Sequence, residues 1–174
     1  MSAIIRRLLG NFPRDQWFPF ELEELERADA RADALFRKSF HAPAPDIPRH
    51  FVAVHKQQRG LVAGYVHYTV YEPGIFLLGG LCVDPASYRV LKAEERRSIA
   101  AEGSLARWLI KRSIERLGPT LAVFGFTGDT RSRRDTRALG FIQAAEPFLI
   151  VQWHSQPLSA RPGLIEKIAA LGPF

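Results

Sequence analysis

The chain has 174 residues, 47% of them hydrophobic and 24% charged, with a formal net charge of +6 and a pI near 9.9. That length and balance predict one soluble, globular domain and exclude a disordered chain. A single cysteine, Cys82, excludes an internal disulfide and a cysteine-rich metal site. No apolar run approaches the roughly 20 residues that span a bilayer, and the opening MSAIIRRLLGNF lacks the pattern of a secretory signal. A cytoplasmic protein without a membrane partner is expected.

Taken in chain order, the first periodic segment is residues 20 to 39. Leu22, Leu25, Ala28, Ala32, Leu35 and Phe36 recur there at three-to-four spacing, which predicts a helix. This segment is acidic. Proline-rich APAPDIP follows as a loop ending at Pro48. Residues 50 to 56 are expected as a strand, 57 to 60 as a hairpin turn, and 61 to 72 as a second strand with Val62, Val66 and Val70 on one face. Residues 75 to 83 are apolar on both faces and predict a central strand.

Residues 93 to 117 read as helix in two pieces, broken near Gly103-Ser104. Leu105, Leu109, Ser113 and Leu117 form the apolar stripe of the second piece, and Gly118-Pro119 stops it. A strand at 120 to 127, a helix at 130 to 139, a strand at 147 to 153 and a terminal helix from Pro162 to Leu171 complete the series. This order predicts an α/β domain built on a single mixed, mostly antiparallel sheet flanked by helices.

Basic residues concentrate between Arg89 and Arg137. A field of that sign attracts anions, whether cofactor phosphates, an acidic protein or nucleic acid. No zinc-ligand spacing or basic–aromatic RNA signature accompanies it, so neither a metal nor a nucleic-acid partner is expected.

Three stretches carry more specific information. LCVDPASYR (81 to 89) is an apolar strand ending in Val-Asp-Pro, with Gly79-Gly80 upstream where a bulge would open a gap. AEGSLARWLI (101 to 110) is a small-residue turn opening an amphipathic helix, where backbone N–H groups and the helix dipole suit a phosphate. FGFT followed by GDTRSRRDTRALGF (124 to 141) is a strand, a polar helix and a Leu-Gly-Phe. In this order the three stretches resemble the acyl-CoA-binding half of the GNAT acetyltransferase superfamily.

The resemblance covers roughly residues 50 to 153 and implies a GNAT-like fold. It divides the chain into a divergent helical part (1–48), an acyl-CoA-binding core (49–154) and an appended helix (155–174) that would pack on the sheet or on a second copy. It also implies acyl transfer, with acetyl-CoA or another acyl-CoA as co-substrate, to an amine of a small molecule or peptide by direct attack in a ternary complex. The pantetheine would run along Leu81, Cys82 and Val83. Gly103, Ser104, Leu105 and Ala106 would cradle the pyrophosphate, Asp129 holds the place of a common Asn, and Arg131 or Arg133 would meet the adenosine phosphate.

Several departures stand beside these matches. Ser104 stands where Gly is usual, Ala101 replaces a basic or amide residue, and residues 90 to 102 are interposed between Arg89 and the turn. Thr136 occupies the usual place of a Tyr acid and Leu77 that of a carboxylate base. His67 is therefore the first candidate base, and Tyr88 a candidate proton donor. Cys82 reads as an inert core thiol. Because the usual acid and base are missing, a CoA-binding module without turnover and an acyltransferase for longer chains both remain open readings.

Overall fold

A computed structural model describes residues 18–174 except 48, 145, 146 and 156. The amino-terminal segment through residue 17, with the MSAIIRRLLGNF stretch, lies outside the described residues. Among the described residues, seven strands form one sheet in the order β1-β2-β3-β4-β5-β7-β6. They are β1 (Phe20–Leu25), β2 (His50–His55), β3 (Val62–Glu72), β4 (Ile75–Val83), β5 (Ala122–Phe126), β6 (Ile142–Gln143) and β7 (Leu149–Trp153). Every neighbouring pair is antiparallel except β4 and β5, which run parallel. The expected mixed, mostly antiparallel sheet with a central β4 is therefore observed.

Helices cover both faces. They are α1 (Ala30–Phe40), α2 (Ser87–Val90), α3 (Ala93–Ala101), α4 (Leu105–Arg116), α5 (Thr130–Ala138) and α6 (Arg161–Ala169), the last preceded by a 3-10 turn at Leu158–Ala160. Strand alternation sorts the side chains. Phe51, Ala53, Val66, Tyr68, Phe76 and Leu78 turn toward Leu105, Trp108 and Leu109 of α4. On the opposite face Val52, Val54, Tyr65 and Cys82 meet Ala32, Leu35 and Phe36 of α1. Further along that same face, Leu77, Phe124 and Val151 meet Leu164 and Ile168 of α6. The carboxy-terminal helix is thus part of the core.

One sequence expectation is overturned at residues 20 to 25. The helix begins only at Ala30, and FELEEL is an edge strand paired with β2 through all six residues. Leu and Glu are good helix formers, but pairing and burial of Phe20 outweigh that local preference. The acidic side chains suit an edge: Glu21 and Glu23 pair with Arg59, Glu23 also with Arg31, and Glu24 with Arg49. Charged side chains on an edge strand also discourage pairing with another chain. Among the described residues, the segment before the proline-rich loop therefore holds a strand as well as a helix.

The other boundaries follow local chemistry. Asp29 caps α1, its side chain accepting from the N–H groups of Arg31 and Ala32. Ser104 caps α4 by accepting from the Arg107 N–H at 2.9 Å. Gly103, with φ of +91°, makes the break between α3 and α4, where the sequence places it. Gly118, also at positive φ, follows the end of α4.

Candidate functional site

Strand β4 is paired to β5 only through Ile75–Leu78 against Ala122–Gly125. Beyond Leu78 the two parallel strands separate. On the other side of β4 the register slips between Tyr65 and His67, whose partners are Cys82 and Gly79. Two residues, Gly80 and Leu81, are thus accommodated opposite Val66 alone, and Gly80 takes φ of +57°. A β-bulge therefore bends β4 at the point where it leaves β5.

A cleft of about 370 Å3 occupies the opening. Leu81, Cys82 and Val83 line it from β4, and Pro85 and Tyr88 from the following turn. Ser104 and Ala106 contribute the start of α4, while Arg131, Ser132 and Asp135 close it from α5. Six of the ten cofactor residues expected from sequence line this cleft: Leu81, Cys82, Val83, Ser104, Ala106 and Arg131.

The other four do not. Gly103 lies under the Arg107 guanidinium, which touches the space a Cβ would take. Leu105, the first residue of α4, has its side chain fully buried in the core. Asp129 caps α5 by accepting from the Ser132 N–H at 2.9 Å, and hydrogen bonds from the Ser132 side chain and backbone hold its carboxyl below the usual range. Arg133 donates to the Thr127 carbonyl and lies over the Phe148 ring.

Asp135 is the residue that sequence reading missed. It is 1% exposed and accepts a 2.6 Å hydrogen bond from the Ser104 hydroxyl. Arg107 approaches its other oxygen at 3.3 Å, with Arg134 at 3.5 Å. Ser104 therefore joins two functions: it caps α4 and ties that helix terminus to α5. In the sequence, Asp135 is one acid in a run of arginines, and nothing local marks it as the buried partner of a turn about 30 residues earlier.

Tyr88 stands at the α4 end of the cleft, hydrogen-bonded with the Leu105 backbone and close to Arg131. Burial raises its phenol above the ordinary value, partly opposed by those two neighbours. Cys82 is buried, and desolvation pushes its thiol up to about 11, so it is a protonated core group at neutral pH. Thr136 donates to the Ser132 carbonyl, and Leu77 is buried against α6.

His67 lies outside the cleft lining, on the α1 face of β3 beside the bulge. Its ring fills the space next to Gly79 and Gly80, where an added Cβ would collide with it. Desolvation, reinforced by the neighbouring His50, lowers it to about 4, so the imidazole is neutral at physiological pH. Its Nδ1 meets the Tyr65 hydroxyl at 3.1 Å. Among the described residues no cluster of three His, Cys, Asp or Glu side chains could hold a metal ion, and no helix is long and apolar enough to cross a membrane.

Comparison with solved structures places this arrangement. The ribosomal-protein-S18-alanine N-acetyltransferase from Escherichia coli superposes with a TM-score of 0.55 at 15% identity, over 79% of this chain and 96% of that one. An acetyltransferase from Streptococcus agalactiae gives 0.51 at 14% identity, over 78% and 99% of the two chains. The fold is that of the GNAT N-acyltransferases. An acyl-CoA N-acyltransferase from Pseudomonas aeruginosa is similar as well, with a TM-score of 0.50 at 14% identity over 76% of this chain and 97% of that one. No protein-family model matches the sequence, and no curated protein sequence matches it significantly. At such identities the likeness concerns the GNAT fold alone, and chemistry has to be argued from the cleft.

Proposed function

We propose that the chain is an acyl-CoA-dependent N-acyltransferase, transferring an acetyl or similar acyl group to an amine of a small molecule or peptide. The observation that carries this reading is the cleft, which joins the unpaired edge of β4 to the amino terminus of α4. Leu81–Val83 offer backbone groups that β5 does not pair, suited to the amides of pantetheine. The first turn of α4 and the Arg131 guanidinium offer positive potential to the pyrophosphate. Tyr88, beside the Leu105 backbone and Arg131, belongs to this phosphate end, so its role is to shape that seat rather than to protonate the thiolate.

In the reaction the amine nitrogen attacks the thioester carbonyl carbon, the C–S bond breaks, and CoA leaves as a thiolate that takes its proton from solvent. The nitrogen must lose a proton. His67, neutral and beside the β4 bulge that borders the cleft, is the group assigned to accept it. Holding the amine against the thioester supplies much of the remaining rate.

A second reading, a CoA-binding module without turnover, draws on the buried Thr136 and Leu77 at the usual acid and base places. One assay separates the two. Purified protein is incubated with acetyl-CoA and a panel of primary amines and amino-terminal peptides, and free thiol is followed. Amine-dependent thiol release that His67→Ala lowers about 100-fold or more is expected. Tight CoA binding with no release by any amine would favour the module instead. Replacing acetyl-CoA by longer acyl-CoAs in the same assay reads the chain length.

A further inference from the structure

Beneath α1, three polar side chains cross β2 and β3 in a line from the Ile47 carbonyl to the bulge of β4. His50 Nε2 is 2.5 Å from the Ile47 carbonyl oxygen, His50 Nδ1 is 2.7 Å from the Tyr65 hydroxyl, and that hydroxyl is 3.1 Å from His67 Nδ1. His50 and Tyr65 are fully buried and His67 is 7% exposed. Sequence reading singled out only His67. Its two partners come from residues 2 and 17 positions away, brought together because His50 pairs with His67 across the β2–β3 ladder.

Elimination assigns the hydrogens. A carbonyl oxygen only accepts, so His50 Nε2 carries a proton toward Ile47. A neutral imidazole has one N–H, so His50 Nδ1 accepts, and the Tyr65 hydroxyl donates to it. The Tyr65 oxygen then accepts from His67 Nδ1–H. His67 Nε2 is left with a bare lone pair, and it is the His67 atom nearest the Cβ position that Gly79 lacks. The glycine pair thus lets that nitrogen lie directly against the β4 backbone at the bulge. The opposite sense, with Tyr65 donating to His67, would require a doubly protonated His50 at a fully buried position, which desolvation disfavours.

We propose that His50 and Tyr65 are positioning residues that hold His67 as its Nδ1–H tautomer, with the Nε2 lone pair at the β4 bulge, and pass inward the proton that His67 takes from the acceptor amine. This inference rests on the acyl-transfer reading for its proton source. The steps balance. The amine proton binds His67 Nε2, the His67 Nδ1 proton moves to the Tyr65 oxygen, and the Tyr65 hydroxyl proton moves to His50 Nδ1. One positive charge leaves the reacting centre and rests transiently on His50; burial disfavours the charged imidazole, and the Ile47 carbonyl and the nearby Asp46 carboxylate offset that cost in part. The groups facing the line from other elements are Asp33 of α1 and the protonated Cys82 thiol of β4, both acting on Tyr65. Neither interrupts the line.

The decisive measurement needs no substrate. Long-range 15N–1H spectra of histidine-labelled protein at pH 7 report which ring nitrogen of each of the five histidines is protonated. The expected result is Nδ1–H for His67 and Nε2–H for His50. In Tyr65→Phe, which keeps the buried ring, His67 loses its acceptor and turns to the Nε2–H form. A wild-type His67 already in the Nε2–H form overturns the positioning role without any variant having to fold. Turnover of acetyl-CoA with the best amine tests the passage of the proton: Tyr65→Phe lowers kcat about tenfold or more while KM for acetyl-CoA is unchanged. An unchanged kcat overturns the relay and leaves acyl transfer standing. Absence of turnover in wild-type protein overturns acyl transfer and the proton passage together, while the tautomer spectrum still decides the positioning.

Discussion

Ser104 is the smallest feature on which the site depends. Its hydroxyl accepts from the Arg107 N–H and donates to Asp135 at once. Ser104→Ala removes both bonds and leaves a buried carboxylate with one partner fewer, a loss of about 2 kcal/mol by denaturant unfolding. Ser104→Glu sets a second carboxylate against Asp135 and on the α4 terminus. CoA affinity should fall at least about tenfold in that variant, and an unchanged affinity would remove this turn from the site. The importance of the Ser104 turn was legible in sequence as a small-residue break before an amphipathic helix. Asp135 was not, because its role comes from packing α5 against α4 and leaves no trace in the spacing of its neighbours.

His67 also ties stability to pH. Its folded value near 4 lies below the ordinary 6.5, so between those values the unfolded chain binds more protons than the folded one. Stability is therefore full above about pH 6.5 and declines as the pH falls toward 4. The shift for His50 has the same direction and adds to the slope. The lowered carboxyls of Asp29, Asp33, Asp84 and Asp129 act only as the pH falls further, through their own range. Denaturant midpoints measured from pH 7 to 4.5 should drop in wild-type protein and drop less in His67→Gln. Parallel curves for the two proteins would show that His67 is not buried as a neutral ring.

Among the elements, the bulge in β4 does most to shape the cleft. Gly80 holds φ of +57°, and a Cβ there would lie 2.6 Å from both the His67 ring and the Phe36 ring. Gly80→Ala should cost about 2 kcal/mol or more, through the left-handed backbone and the displaced rings. A variant as stable as wild type would show that the bend tolerates a side chain. Gly79-Gly80 could be read from sequence because glycine weakens a strand interior and is retained there where the backbone bends or bulges. The strand FELEEL could not. Its Leu and Glu residues satisfy a helical period as well as an alternating one, and only pairing with β2 decides between them. The two-residue β6 and the single turn of α2 are too short to leave any periodicity.

For the molecule as a whole, α1 and α6 share one face of the sheet and α4 holds the other. The cleft opens where β4 and β5 part, between these layers. Arg49 fastens one corner: it donates to the Arg116 and Leu117 carbonyls at the end of α4 and pairs with Glu24 of β1. Lys38 fastens another by bridging α1 to Asp84 at the end of β4. Sequence reading reached the order of most of these elements because long periodic segments declare their type. It could not choose between the sheet and a second copy for the terminal helix, nor reach the line from His50 to His67, since both depend on which strands become neighbours.

On the proposed function, the cleft from Leu81 to Ser104 and Arg131 holds an acyl-CoA. Calorimetric titration of wild-type protein and Arg131→Glu with acetyl-CoA and CoA, at two salt concentrations, tests it most directly. Saturable binding at one site is predicted, weakened about tenfold or more by Arg131→Glu and only modestly by salt. Absence of binding, or binding that the variant leaves untouched, would contradict the account.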